Sequence, residues 1–473
     1  MKKHYPISID KNSPDPLYVQ VFEEIKKMIL NGTLKEDEKL PSIRDLSKSI
    51  GVNNITVVNA YKLLEQEGLV YTKIGSGTFV KGLNKKDEKI INIKNDEIRK
   101  DEFIKINLSN SMPNPLYFPV EEFKEVINEI LDRDGGSVFT YQEPKGYLPL
   151  RESLLNYSLE NGIEVNLNDI HIISGAQQGI DIISKTLLKF GDNVVVECPT
   201  YTGAVAVFRS RGANIIDVPI EKDGINLNIL EDVVKKNKVK LIYIMTNFQN
   251  PTGYTYSEDT KIDLLYLANK YDFYIIEDDY MSELRFYGDN TLPIKSIDKN
   301  NRVIYLKSFS KIFMPGIRLG YIISPANMNM DIQSAKYSTD ISTSGLMQRA
   351  FDLYLRKRLW HNHIRYLVER YKEKYDFIVE YLTNNASFIE FVKPNGGIHL
   401  WCSTNVDSAL FASMLKDEGI LIAPGTAFYL DEESTNYFRI SFGTVDRDEL
   451  KLAVDKMKEV YERYQRGELF KFI

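Results

Sequence analysis

Cysteine is nearly absent from this chain. Its 473 residues hold two, Cys198 and Cys402, far apart and without metal-ligand spacing. That excludes a disulfide framework and points to a reducing compartment. No stretch approaches the roughly 18 apolar residues of a membrane span, and Met1-Lys2-Lys3-His4-Tyr5-Pro6 lacks an apolar signal core. A soluble, cytoplasmic protein without a membrane partner is expected. A dominant charge is also missing: the net charge is −6, which gives nucleic-acid binding no bulk support. No internal repeat is visible. What is present, an ordinary apolar and charged balance, gives chain enough for two or three domains and a large core.

The charge is unevenly spread. Residues 1–81 hold 12 Lys/Arg against 10 Asp/Glu, about +2, and the remainder carries about −8. In that first part, residues 17–30 place Val21, Ile25, Met28 and Ile29 at helical spacing, and Asn31-Gly32 ends the helix. Pro41-Ser42 opens a second helix with Ser42 as N-cap, Ile43, Leu46 and Ile50 as its apolar positions, and Gly51 as its stop. A third runs from Asn54 to Glu67 with Val57, Ala60, Tyr61 and Leu64 inward, stopped by Gly68. Two strands, Leu69–Thr72 and Thr78–Val80, follow around a Gly75-Ser76-Gly77 tip.

This order is a helix-turn-helix with a β-hairpin wing, and residues 40–80 resemble the GntR family of bacterial winged-helix regulators. The family usually has Glu where Ile43 stands and Ser-Arg where Asn53-Asn54 stands. The resemblance implies promoter DNA as partner. Asn54, Thr56 and Asn59 are then the groove-facing candidates, with Arg44, Lys62 and Lys73 on phosphates. A vestigial or protein-binding winged helix is the other reading. The domain is placed at residues 10–81, and the charge-dominated segment 82–103 reads as a solvated linker.

From about residue 168, short β-branched runs alternate with amphipathic helices, the pattern of an α/β domain with a mainly parallel sheet. Candidate strands are Ile170–Ser174, Asn193–Glu197, Leu241–Thr246, Phe273–Glu277 and Val303–Lys307. Ligands of such sheets sit at the carboxyl ends of the strands. Those ends carry Gly175-Ala176-Gln177 leading into a helix, Tyr201, Asn250, Asp278 with Tyr280, and Ser308, Ser310 and Lys311. A helix start suits a phosphate, a tyrosine an aromatic ring, and an aspartate a pyridine nitrogen. A lysine after two hydroxyls, with Arg318 seven residues on, suits a Schiff base to pyridoxal phosphate. Arg439 alternates with apolar neighbours on a strand, as either a carboxylate fork or a structural ion pair. His361-Asn362-His363 reads as a helix surface and not as a metal site.

Together the strand ends resemble fold-type I aminotransferases over residues 104–470, with a large lobe at about 168–335 and a smaller α+β lobe from about 104–165 and 375–473. The resemblance implies that Lys311 holds the cofactor, with Asp278 at the pyridine nitrogen, Asn250 and Tyr280 near the ring oxygen and Tyr201 stacked on the ring. It implies Gly175, Ala176, Gln177, Ser308, Ser310 and Arg318 for the phosphate, Arg439 for an α-carboxylate, and Tyr141 reaching a neighbouring subunit's phosphate. The domain is placed at 104–473.

A GntR-like winged helix joined to such a domain resembles the MocR/GabR/PdxR group of bacterial regulators. The group implies a head-to-tail homodimer that answers to pyridoxal phosphate or to its aldimine with an amino compound. Gly203 stands where a GABA-responsive relative would need a second arginine nearby, which favours an α-amino acid or the cofactor itself as effector. A working aminotransferase of aminoadipate or aromatic type is the alternative, since Phe248–Gly253 and Pro199–Gly203 look like the enzymes' versions.

Overall fold

The computed structural model describes residues 17–30, 33–66, 69–73, 76–81, 105–431 and 434–468. It divides into two units, 1–103 and 104–473. In the first, helix α1 (Leu17–Leu30) turns Val21, Ile25, Met28 and Ile29 into a core shared with Leu46 of α2 (Ile43–Ile50) and Val57, Ala60 and Leu64 of α3 (Asn54–Gln66). The Ser42 hydroxyl accepts the Asp45 N–H at 3.2 Å and so caps α2. Gly51 closes that helix at φ +68, a conformation that favours glycine. Strands β1 (Val70–Lys73) and β2 (Gly77–Val80) pair antiparallel as the wing. The helix stops read at Asn31-Gly32 and Gly68, Gly75 of the hairpin tip, and the linker 82–103 lie outside the described residues.

The second unit is built on an eight-stranded sheet. Its strands are β4 (Ile170–Ile173), β5 (Asn193–Cys198), β6 (Asn214–Glu221), β7 (Gly224–Ile225), β8 (Val239–Ile244), β9 (Tyr274–Asp279), β10 (Val303–Ser308) and β11 (Gly320–Ile323). The order is β4-β11-β10-β9-β8-β5-β6-β7. The pairs from β6 through β10 are parallel, while β11 runs antiparallel between β10 and β4. All five strands expected from the sequence are present. The pattern misses β6, half-exposed and interrupted by Asp217, and β11, hidden behind a glycine-containing motif. Strands β4, β10 and β11 are buried along their whole length, which explains their continuous apolar runs.

A second, antiparallel sheet, β12 (Glu390–Phe391), β13 (His399–Ser403), β16 (Tyr437–Ser441) and β15 (Ala423–Pro424), forms the smaller lobe. Strand β3 (Ile106–Asn107) pairs with β14 (Ile420–Leu421). Segment 104–165 divides its packing: β3 joins β14, whereas helices Val120–Asp134 and Leu148–Glu160 pack on helix Gly345–Arg356, and the latter also on β4. One apolar core joins both sheets of this unit, and a second, including Val195, Ile242, Ile275 and Val303, packs on the larger sheet.

Candidate functional site

Because β4, β5, β8, β9 and β10 run the same way, their carboxyl ends open on one edge. At the end of β4, Gly175 (φ +86) precedes helix Ala176–Leu187, whose first N–H groups receive no side-chain cap. A Cβ on Gly175 would stand 2.8 Å from the Arg318 guanidinium, which donates to the Ser174 carbonyl at 2.7 Å. Uncapped N–H groups beside a guanidinium make an anion cradle. The Gln177 side chain is occupied elsewhere: its amide donates to the Gly203 carbonyl at 2.9 Å and accepts from the Tyr201 hydroxyl at 3.2 Å. Ser308 closes β10, and its hydroxyl accepts the Ser310 N–H at 3.3 Å.

Asp278 lies inside β9, one residue beyond the expected strand. One carboxylate oxygen accepts the Tyr243 hydroxyl at 2.6 Å; the other is buried with no partner. Burial is the main cause lifting its pKa to about 7, against the lowering effect of the Tyr243 hydrogen bond. Lys311 is depressed to about 8, first by burial and then by the charges of Arg439 and Arg318. Among the described residues its amine's one hydrogen-bond partner is the Met112 sulfur, at 3.8 Å.

Arg439 is buried on β16 and donates to the Asn250 side-chain oxygen at 2.6 Å and the Ser109 carbonyl at 2.7 Å. Its Nε has no partner, and its pKa falls to about 10 through burial. Among the described residues no carboxylate pairs with it, so the structural ion-pair reading fails. With its oxygen taken, Asn250 keeps its NH2 for donation. The Tyr280 hydroxyl donates to the Phe248 carbonyl. Burial raises its pKa well above the ordinary value, against the opposing charge of Arg439.

Several groups escaped the sequence reading. Tyr243 sits mid-strand in an apolar run and carries no local sign of its partner. Buried Glu197 accepts from Tyr256 at 2.8 Å and Gln249 at 3.1 Å. Gln249 also donates to the Pro199 carbonyl at 2.8 Å, tying the Asn250 loop to the Tyr201 loop. Tyr141 is 79 % exposed. The histidine pair needs correction. His361 is on the surface, 3.3 Å from Glu160, but His363 is buried, with its ring 3.1 Å from the Ile312 carbonyl, because the helix turns it toward the core.

In the winged helix, two groove candidates are committed within the fold. The Asn54 oxygen accepts the Ser47 hydroxyl at 2.7 Å, and the Thr56 hydroxyl donates to Asn53 at 2.9 Å, where Asn53 also caps α3. Asn59, Arg44 and Lys62 are exposed. The Lys73 ammonium lies 5.4 Å from the ring centres of both Tyr71 and Phe79.

An anion cradle, a lysine poised to lose its proton and a carboxylate oxygen left over are what a phosphorylated pyridine aldehyde requires. The second unit is thus of the fold-type I, pyridoxal-phosphate class. Residues 104–457 match the aminotransferase class I and II family, and residues 17–80 match the gntR family of bacterial regulatory proteins. The chain belongs to the aminotransferase class I and II family and carries a GntR-family domain ahead of it, the MocR-type architecture. It is 32% identical over 388 residues to aromatic-amino-acid aminotransferase 1 of Thermococcus litoralis, covering 79% of this chain and 93% of that protein. The uncharacterized HTH-type transcriptional regulator YdfD of Bacillus subtilis is 29% identical over 93% of this chain and 95% of its own length. Among solved structures, kynurenine aminotransferase from Pyrococcus horikoshii superposes with a TM-score of 0.74 at 33% identity, over 80% of this chain and 94% of that one.

Proposed function

We propose that this chain is a transcriptional regulator that binds promoter DNA through its winged helix and senses pyridoxal phosphate, alone or joined to an amino compound, at Lys311. The observation that carries the sensing half is Arg439: a buried guanidinium with no carboxylate partner among the described residues, near a depressed lysine, suits a carboxylate ligand. The regulator YdfD, similar along nearly its whole length, supports the DNA-binding half.

In this reading Gly175, Ala176, Gln177, Ser308, Ser310 and Arg318 hold the phosphate, Gln177 through its backbone. The free oxygen of Asp278 meets the pyridine nitrogen, and Tyr243 keeps that carboxylate in place. Asn250 and Tyr280 flank the ring oxygen, and Tyr201 stacks on the ring. Once bound, the cofactor supplies an aldehyde that captures amines and a ring that withdraws electrons. Lys311 must give up its proton to act, which its lowered pKa makes easy near neutrality. Exposed Tyr141 completes the site of the second subunit in a head-to-tail homodimer, and the protein works in the cytoplasm.

A second reading, an active aminotransferase of an α-amino acid with a secondary DNA-binding domain, draws support from the Arg439–Asn250 contact and from the enzyme relatives. One experiment addresses both. Wild type and Lys311→Ala are titrated with pyridoxal phosphate and then α-amino acids, following visible absorbance, multiple turnover with a 2-oxo acid, and promoter binding. The proposal expects a band that needs Lys311, a shift with one amino acid, an altered DNA affinity and no sustained turnover. Sustained turnover with unaltered DNA binding supports the enzyme instead, and a band surviving in Lys311→Ala sinks the assignment.

A further inference from the structure

Helix α3 presents one exposed stripe, Ile55, Asn59 and Lys62, spaced i, i+4 and i+7 along the helix. Its first member is out of place by ordinary rules. Ile55 is 68 % exposed in the first turn of α3, and it and Ile43, in the first turn of α2, are the only large apolar side chains exposed among the described residues of this unit. A winged helix directs the start of its second motif helix at base edges in the major groove.

The neighbouring polar groups sharpen the chemistry. The Asn54 oxygen accepts the Ser47 hydroxyl, which holds this side chain against α2, so pairing it with an adenine edge would break or share that bond. Asn53 spends its oxygen on the Thr56 N–H and hydroxyl. Asn59 makes no hydrogen bond among the described residues, so its amide keeps both a donor and an acceptor. The first two turns of α3, from Asn54 to Ala60, hold no arginine or lysine, the commonest readers of guanine. Lys62 follows one turn later, a reach suited to a phosphate.

We infer that α3 reads A·T pairs: Ile55 packs on a thymine C5-methyl group and Asn59 pairs with an adenine edge, while Lys62 holds the backbone. The inference rests on DNA binding by this unit and names the base class that the unit selects. An isoleucine left in water gains by covering a methyl group, and only thymine offers one in the groove.

The test selects binding sites from random duplex DNA with the full-length protein, with and without pyridoxal phosphate. Each thymine of the selected operator is then replaced singly by uracil, which removes the methyl and leaves the pairing edge intact. Wild type should lose about fourfold in affinity at one or two thymines, the worth of one buried methyl group. Ile55→Ala should bind thymine and uracil operators alike at those positions. Asn59→Ala should relax the preference for A·T at a neighbouring pair by roughly tenfold. Both side chains are exposed, so neither variant threatens the fold. Equal binding of thymine and uracil operators by wild type overturns the inference, as do G·C pairs at the positions protected by α3. Failure to enrich any sequence, with or without the cofactor, overturns DNA binding itself and this inference with it.

Discussion

Burial shifts Lys311 and Asp278 in opposite directions, each toward its neutral form. Burial pushes the lysine down to about 8, with Arg439 and Arg318 adding to the push, so half of it is neutral amine at that pH. The rate at which the protein takes up pyridoxal phosphate should therefore climb with pH through about 8 and then level off. An ordinary lysine would keep climbing toward 10.5. Stopped-flow absorbance reads this directly, and Arg439→Gln should move the inflection upward by removing one cation. Asp278 goes the other way. Its folded pKa of about 7 exceeds the ordinary 3.8, so the folded state holds more protons between those values. The cofactor-free protein should lose stability from this group as pH rises from about 4 to 7, on the order of a few kcal/mol. Asp278→Asn cannot ionise, so its Tm relative to wild type should rise across that window and stay level above it. Saturating pyridoxal phosphate should reverse the order, because only the carboxylate favours a protonated pyridine.

At the scale of elements, the turn from β4 into its helix tests whether the anion cradle is real. Gly175 adopts φ +86 and ψ 170, a region almost closed to other residues, and a Cβ there would press on Arg318. Gly175→Ala should weaken pyridoxal phosphate about tenfold or more, the worth of one charge-assisted hydrogen bond. Pyridoxal, which lacks the phosphate, should bind both proteins equally; calorimetry with the two ligands separates a lost cradle from a damaged fold. Turns like this are legible from sequence because parallel strands must deliver their ends to one edge, so reading the residues after each apolar run gathers the site. Partners formed across strands are not legible in that way. Tyr243 on β8 reaches Asp278 on β9 across a parallel pair, 35 residues away in sequence, and nothing in its own run marks it as polar. The same blindness affected α3, where Asn54 looks free in sequence and is held by Ser47 of the preceding helix. Likewise the sequence groups His363 with its exposed neighbour His361, although residues two apart on a helix face nearly opposite ways.

For the whole molecule, the proposed regulator requires that an amino acid held at Arg439 alter the DNA-binding unit. A ligand moves an equilibrium only by binding its two states unequally, and the resulting coupling runs both ways. If an α-amino acid changes operator affinity of the cofactor-loaded protein by some factor, operator DNA must change the affinity for that amino acid by the same factor. Regulatory couplings typically fall between about 5- and 150-fold. Fluorescence anisotropy with labelled operator gives one side of the cycle, and absorbance titration of the amino acid with and without operator gives the other. A shared factor well away from one places Lys311, Arg439 and the winged helix on one equilibrium. Arg439→Gln should flatten both sides together, since it removes the guanidinium proposed to take the carboxylate and changes no residue of the winged helix. An aminotransferase with an idle winged helix would show a factor of one on both sides, however fast it turned over.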